Sequence, residues 1–483
     1  MKAKAVMVLG CTSDAGKSWL ATALCRWYAR RGYAVKPYKA QNMSNHARVV
    51  ALPEGGFGEI GSAQYFQALA AGARPEVRMN PVLLKPEADT RSQVVVMGRV
   101  RHEFGTLPWR ERSELLRAEA NRALAELQEN CEVMVIEGAG SPAEINLAAN
   151  DYVNTGTALA SRATCLLVAD IDRGGAFAHL YGTWSLMDEG VRSQVRGFVL
   201  NKFRGDERLL APAPQQLEEL TGVPTLAVVP MLREHGLPEE DSVPRPSAAG
   251  QGPRVVVLAT PHASNLDEFA PLAAAGVALA YSRDATDIAA ADWLILPGSK
   301  HTRADLAWVR AAGLEPSVQA FVASGKPLLA ICGGLQWLGS EVNDPDGLEG
   351  GRAGSDAGLG VLPLATRFSA AKDLRRGTYQ FGGLNGVWAG LSGLAFEGYE
   401  IHSGCSTPFS PLTAACSTPG GGACGWQLGN VLAVYPHGLF ENPAVLEALF
   451  GGARRSLDAS FDRLADQIDE SFGAASLLGL LRL

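Results

Sequence analysis

Residues 5–18 read Ala5-Val6-Met7-Val8-Leu9-Gly10-Cys11-Thr12-Ser13-Asp14-Ala15-Gly16-Lys17-Ser18, an apolar run closing on a glycine-rich loop. The apolar run is too short for the core of a signal peptide, and its unbroken Val, Met and Leu suit a strand buried on both faces. Helical spacing follows over residues 17–31, so the loop joins a strand to a helix N-terminus. Backbone N–H groups in such a loop point inward and, with the helix end, cradle anionic phosphates. Gly10, Thr12, Asp14, Gly16, Lys17 and Ser18 are therefore the expected nucleotide-binding residues. Lys17 would reach the β- and γ-phosphates, and the Ser18 hydroxyl would hold Mg²⁺. The glycines stand one residue further apart than in the common phosphate loop, and a bare glycine turn before a helix is the alternative.

Working outward, apolar segments at 34–37, 133–136, 164–168, 195–200 and 225–229 alternate with helical stretches such as 110–129. That alternation predicts a doubly wound α/β unit with a mostly parallel sheet. Ligands gather outside the carboxyl ends of such strands. Glu137, directly after the segment 133–136, is accordingly the expected second Mg²⁺ ligand, against the alternative of a solvated strand-end carboxylate. Asp170 and Asp172 occupy a similar strand end and would bind metal or substrate, or cap the next helix.

Residues 234–254 change to acidic, Pro- and Gly-rich composition, which reads as a linker. A second α/β series then begins, with strands expected at 255–259, 293–296, 327–331 and 431–434. Within it, Ile331-Cys332-Gly333-Gly334 has the form of a nucleophile elbow: strand, sharp turn, helix. A thiol at a helix N-terminus is favoured as thiolate. The N–H of Gly333 would donate to an oxyanion, with a second donor expected from the strand-end turn at Gly298. His437, directly after the segment 431–434, is the expected base for Cys332. A buried structural cysteine beside an unrelated histidine is the bland alternative. The position two after His437 holds Leu439 rather than a carboxylate, so a Cys–His dyad is expected, with Glu441 nearby in sequence. His402 is expected to serve the fold or the domain junction. Residues 403–425, rich in Gly, Ser, Thr and Pro, are expected as surface loops, and the helical spacing of Leu457, Phe461, Leu464, Ile468 and Phe472 predicts a tail helix on the second unit.

The 483 residues suffice for several packed cores, at 47% hydrophobic and 19% charged. A net charge of −7 offers no basic face for nucleic acid. No run of about 18 apolar residues is present to span a membrane. The eight cysteines show no CxxC pair, so reduced thiols and a cytoplasmic location are expected.

The extended phosphate loop is similar to that of the dethiobiotin synthetase family, and the elbow with its late histidine resembles class I glutamine amidotransferases. In this order, and with runs such as Lys39-Ala40-Gln41-Asn42-Met43-Ser44, Asn80-Pro81-Val82-Leu83-Leu84-Lys85-Pro86 and Gly138-Ala139-Gly140-Ser141-Pro142-Ala143-Glu144-Ile145-Asn146, nearly the whole chain resembles the cobyric acid synthase family. The resemblance implies a synthetase unit over 1–235, a linker over 236–253, an amidotransferase unit over 254–450 and a helical tail over 451–483. It implies ATP, Mg²⁺, glutamine as nitrogen donor, and amidation of the b, d, e and g carboxylates of adenosylcobyrinic acid a,c-diamide. That family also lacks the carboxylate two after the histidine. Lys39, Gln41, Asn42, Asn146, Asp151 and Asp172 are expected to hold the corrinoid. The a,c-diamide synthase of the same pathway, which shares both unit types, is the nearest rival.

Overall fold

In the computed structural model, which describes residues 2–88, 91–232, 237, 252–452 and 456–482, the strand expected at 5–9 runs from Lys4 to Gly10 inside a six-stranded parallel sheet. The spatial order is Thr225–Pro230, Val195–Phe203, Thr164–Asp170, Lys4–Gly10, Val133–Glu137, Val35–Tyr38. Register decides what lies beside the loop: Gly10 aligns with Val168, and Val8 with Glu137. Alternate side chains of the central strand feed two cores. Met7 and Leu9 pack with Leu124, Ile136 and Leu167 on one face. Val6 and Val8 pack with Leu20, Leu24 and Trp27 on the other.

The second sheet has a parallel part ordered Ala278–Ser282, Arg254–Leu258, Trp293–Leu296, Leu328–Ile331, Val431–Val434. Beyond Val431–Val434 it continues antiparallel through Ala423–Leu428 and Thr413–Ser417 to the long strand Leu364–Phe381, which pairs with Ala395–Pro408. Both units are thus α/β: the first sheet is parallel throughout, and the second has a parallel five-stranded part enlarged by an antiparallel wing.

Two expectations need correction. Residues 403–425 are largely strand rather than loop, falling in Ala395–Pro408, Thr413–Ser417 and Ala423–Leu428. The tail helix, Leu457–Phe472, packs on the first unit rather than the second. Phe461, Leu464 and Ile468 join the core of Val6 and Val8, while Asp462 accepts from Arg26 Nε at 2.8 Å. Apart from Leu237, Gly252 and Pro253, the expected linker lies outside the described residues. Among the described residues no helix is long and apolar enough to cross a membrane.

The halves meet along two hairpins. Ala47–Ala51 with Phe57–Gly61 comes from the front half, and Leu364–Phe381 with Ala395–Pro408 from the back. Arg376 bridges them, donating to the Val49 carbonyl at 3.2 Å and to the Tyr65 hydroxyl at 2.5 Å.

Candidate active sites

The strand Leu328–Ile331 ends at Cys332, whose backbone adopts φ 51° and ψ −106° before the helix Gly333–Leu338 begins. A β-carbon-bearing residue at positive φ is strained by about 1–3 kcal/mol, and such strain persists only where the surroundings impose it. Here it sets the sulfur 4.0 Å from the Ile401 carbonyl oxygen. Glycine at 333 is needed because a β-carbon there would sit 2.7 Å from the Ser299 amide nitrogen. At 298 a β-carbon would lie 2.9 Å from His437 Cε1. The two glycines expected to flank an oxyanion thus border the thiol and the imidazole.

His437 leaves the sheet from Val431–Val434, the parallel neighbour of the cysteine strand, with Ile331 and Val434 in register. Neighbouring strand ends therefore deliver sulfur and imidazole to one place. The His437 backbone is fixed by an isolated bridge to Tyr399, and the two rings stack at 5.3 Å with an interplanar angle of 21°.

A dyad does not describe the centre. His437 Nδ1 lies 2.8 Å from Glu268 Oε1, and the Gly438 N–H donates to Glu268 Oε2 at 2.8 Å. Glu268 is wholly buried and comes from the short turn Leu266–Phe269, far upstream in the chain. The orienting carboxylate that the position of Leu439 denies is supplied from elsewhere in the fold. Glu441 does not fill the role, for it turns to Arg48 at 2.7 Å. Burial alone would lower the proton affinity of His437. The Glu268 charge and hydrogen bonds to Cys332 and Glu268 outweigh it, and its pKa is pushed up to about 10. Such a histidine stays protonated at neutral pH, the form that pairs with a thiolate.

His402 is occupied structurally. It bonds to Glu400 Oε2 at 2.9 Å and to the Gly404 carbonyl at 2.8 Å, and it stacks on Tyr435.

In the front half, Gly16 takes φ 97° as the helix Lys17–Ala29 begins. Lys17 Nζ donates to the carbonyls of Thr12 at 3.0 Å and Gly140 at 3.1 Å, curling over the loop. Ser18 Oγ donates to Glu137 Oε1 at 2.8 Å, so the two expected metal ligands converge. Glu137 is fully buried and also accepts from Lys39 Nζ at 2.8 Å and Gln67 Nε2 at 2.5 Å. Burial pushes its pKa up, but the Lys39 charge and these hydrogen bonds prevail and hold it low.

Three residues that motif reading did not place also shape the loop. Asn201 Nδ2 donates to the Ala15 carbonyl at 2.8 Å, and Lys202 Nζ to the Asp14 carbonyl at 2.6 Å. Arg173 pairs with the Asp14 carboxylate at 3.2 Å. Asn201 and Lys202 end the strand Val195–Phe203, whose carboxyl end faces the same crevice; that shared end is the signal that could have found them.

The expected substrate residues divide. Lys39 stands at the Glu137 cluster, and Gln41 accepts from the Tyr152 hydroxyl at 2.6 Å. Asn146 lies exposed in the loop after Gly140. Asn42 is buried against Gln64 at 3.2 Å. Asp151 spends its carboxylate capping a helical turn, accepting from the amides of Val153, Asn154 and Thr155. Asp170 pairs with Lys202 at 3.0 Å and accepts from the Asp172 amide, while Asp172 pairs with Arg204.

Comparison with known proteins matches both units. Residues 6–242 fit the CobQ/CobB/MinD/ParA nucleotide binding domain, and residues 254–445 the CobB/CobQ-like glutamine amidotransferase domain. The cobyric acid synthase of Leptothrix cholodnii is 58% identical, with 99% of this chain and 97% of that protein covered. Those of Variovorax paradoxus and Methylibium petroleiphilum are 57% and 56% identical, covering 100% of each chain in the first case and 99% and 97% in the second. Matched at more than half identity over nearly its whole length, and carrying both matched units in one chain, the protein belongs to the cobyric acid synthase family.

Proposed function

We propose that the chain amidates the b, d, e and g carboxylates of adenosylcobyrinic acid a,c-diamide to give adenosylcobyric acid, using ATP to activate each acid and glutamine to supply nitrogen. The observation that carries this reading is the Cys332–His437–Glu268 array in the same chain as the Lys17 loop, each at the carboxyl ends of its own parallel sheet.

A carboxylate is a poor electrophile. In the front half a substrate carboxylate oxygen attacks the γ-phosphorus of ATP, the bond to the bridging oxygen breaks, and ADP leaves behind an acyl phosphate. Lys17 and the loop amides orient and neutralise the phosphates. Ser18 and Glu137 bring a hydroxyl and a carboxylate oxygen to one point, a hard-oxygen pair that suits Mg²⁺. When bound, the ion would neutralise phosphate charge there. In the back half the Cys332 thiolate attacks the side-chain carbonyl carbon of glutamine. His437 protonates the departing nitrogen, ammonia leaves, and a thioester remains. Gly333 and Gly298 border the position of the oxyanion. Water, giving a proton to His437, then hydrolyses the thioester to glutamate. Ammonia attacks the acyl phosphate, and phosphate departs.

All eight cysteines are free, which suits a reducing compartment such as the cytoplasm. The test is incubation with the corrinoid diamide, ATP, Mg²⁺ and glutamine, following product masses. Stepwise conversion of the remaining acids to amides is expected. Amidation of cobyrinic acid at its a and c positions instead would assign the chain to the earlier reaction.

A further inference from the structure

The centre around His437 is not built by the back half alone. Arg48, on the front-half strand Ala47–Ala51, is completely buried beside it. Its Nη1 donates to the Tyr399 hydroxyl at 2.9 Å and meets Glu441 Oε1 at 2.7 Å, and its Nη2 pairs with Asp267. Each partner adjoins the imidazole by a different route. Asp267 immediately precedes Glu268, Tyr399 stacks on the His437 ring, and Glu441 ends the short turn that begins at Leu439. The neighbouring Ala47 amide donates to Asn265 Oδ1 at 2.9 Å, tying down the start of the turn that presents Glu268. The ring centres of Tyr65, Phe66 and Tyr399 lie 5.0 to 5.8 Å from the guanidinium carbon, within cation–π range.

The same hairpin leads to the other centre. Its second strand, Phe57–Gly61, runs directly into the helix Ser62–Ala70. At one end Ser62 lies beside Asp267, whose carboxylate is held by Arg48, and the rings of Tyr65 and Phe66 on the same helix flank that guanidinium. About one and a half turns along, Gln67 donates to Glu137 at 2.5 Å, with Gln64 at 3.5 Å from the same carboxylate. Ser62, Gln64, Gln67, Glu137, Asp267, Arg48 and Glu268 are all buried, and among the described residues Ser62 Oγ, Gln67 Oε1, Arg48 Nε and Asp267 Oδ1 find no hydrogen-bond partner. Burying a charged network of this kind is expensive, and a uniquely set geometry is the return it can give.

We propose that Arg48 is a positioning residue for His437 and that, through the helix Ser62–Ala70, it ties glutamine hydrolysis to occupancy of the phosphate-loop centre. The inference rests on the reading of Cys332 and His437 as a glutamine-hydrolysing pair. Coupling of this kind requires an element whose arrangement both sites bias, and the short helix touches the surroundings of both.

The test compares Arg48→Lys and Tyr399→Phe with the wild-type full chain, in glutamine hydrolysis with and without ATP plus the corrinoid diamide, and in amidation driven by added ammonia. Both variants should lose about tenfold in kcat for glutamine while KM stays within about twofold, the signature of a misplaced reacting group rather than lost binding. Stimulation of hydrolysis by ATP and corrinoid should fall toward none, and ammonia-driven amidation should remain at wild-type level. Retained ammonia-driven amidation also certifies folding, and Tyr399→Phe removes one oxygen only. Wild-type glutamine kinetics and stimulation in both variants would overturn the proposal. So would an equal loss of glutamine- and ammonia-driven activity in Tyr399→Phe, which would mark a merely structural role. A wild-type chain with no glutamine hydrolysis would instead sink the parent reading of the thiol centre, and this inference with it.

Discussion

Glu268 holds the His437 ring at Nδ1 and accepts from the amide of the next residue, Gly438, and the bond at Nδ1 leaves Nε2 as the ring nitrogen free to face the thiol. Glu268→Gln keeps the shape but loses the charge. Glutamine-dependent turnover should fall by about 10²- to 10⁴-fold, the range expected when an orienting carboxylate is neutralised. Ammonia-driven amidation should be spared, and equal loss of both would contradict the assignment. The proton on His437 also enters stability. The folded chain holds it up to about 10, against about 6.5 for an unfolded histidine. The pair therefore contributes fully below pH ~6.5 and loses that contribution as pH rises toward 10. The difference in melting temperature between wild type and Glu268→Gln should accordingly narrow from pH 6 to pH 10; a constant or widening difference would contradict it. That Cys332 and His437 would come together was legible because each follows a strand in a recognisable local pattern. Glu268 was not, since a triad member donated by a distant turn obeys no spacing rule. Its one local sign is a pair of acids, Asp267 and Glu268, set between Leu266 and Phe269 in a buried turn.

Among the elements, the tail helix shows how a pattern reveals a buried face but not its partner. Leu457–Phe472 carries the apolar stripe its spacing predicts, yet the stripe covers the helix Lys17–Ala29. The clue lay in charge: Asp458, Asp462, Asp466 and Asp469 meet Arg26, Arg30 and Arg31. These exposed pairs contribute little, about 0–1 kcal/mol each, and the stripe carries the docking. Phe461→Ala should therefore cost the front half about 3–5 kcal/mol, read as faster amide exchange in Lys4–Gly10 and the first helix, with exchange in Leu328–Ile331 unchanged. Equal effects in both halves would contradict the placement. The strand Ala395–Pro408 escaped notice for a different reason. Its inward positions include Gly398, His402, Gly404 and Ser406 rather than Val or Ile, so period-two alternation is hidden. At Gly404 a β-carbon would lie 2.5 Å from Gln336 Nε2 and displace that amide. The parallel strands, buried on both faces and rich in Val and Leu, were readable to within three residues, apart from the edge strand Ala278–Ser282, which was not foreseen from the sequence.

At the scale of the molecule, the order of the two α/β units was readable from their motifs, whereas their docking depends on hairpins with no sequence signature of mutual contact. The division of labour predicts an asymmetry between two substitutions. Cys332→Ala should abolish glutamine-dependent amidation, by about 10³-fold or more, and leave ammonia-dependent amidation intact. Lys17→Ala should remove both, because phosphate binding precedes either nitrogen source; persistent ATP-dependent amidation would refute the loop. The central claim is that nitrogen freed at Cys332 reaches an acid activated at the Lys17 loop. It is tested most directly with glutamine labelled with ¹⁵N at its side-chain amide, turned over with ATP and the corrinoid diamide in the presence of unlabelled ammonium. The account predicts labelled amides in the product and ADP formed in step with them. Product nitrogen that is unlabelled, or labelled glutamine hydrolysed with no ADP formed on any corrinoid acid, would contradict it.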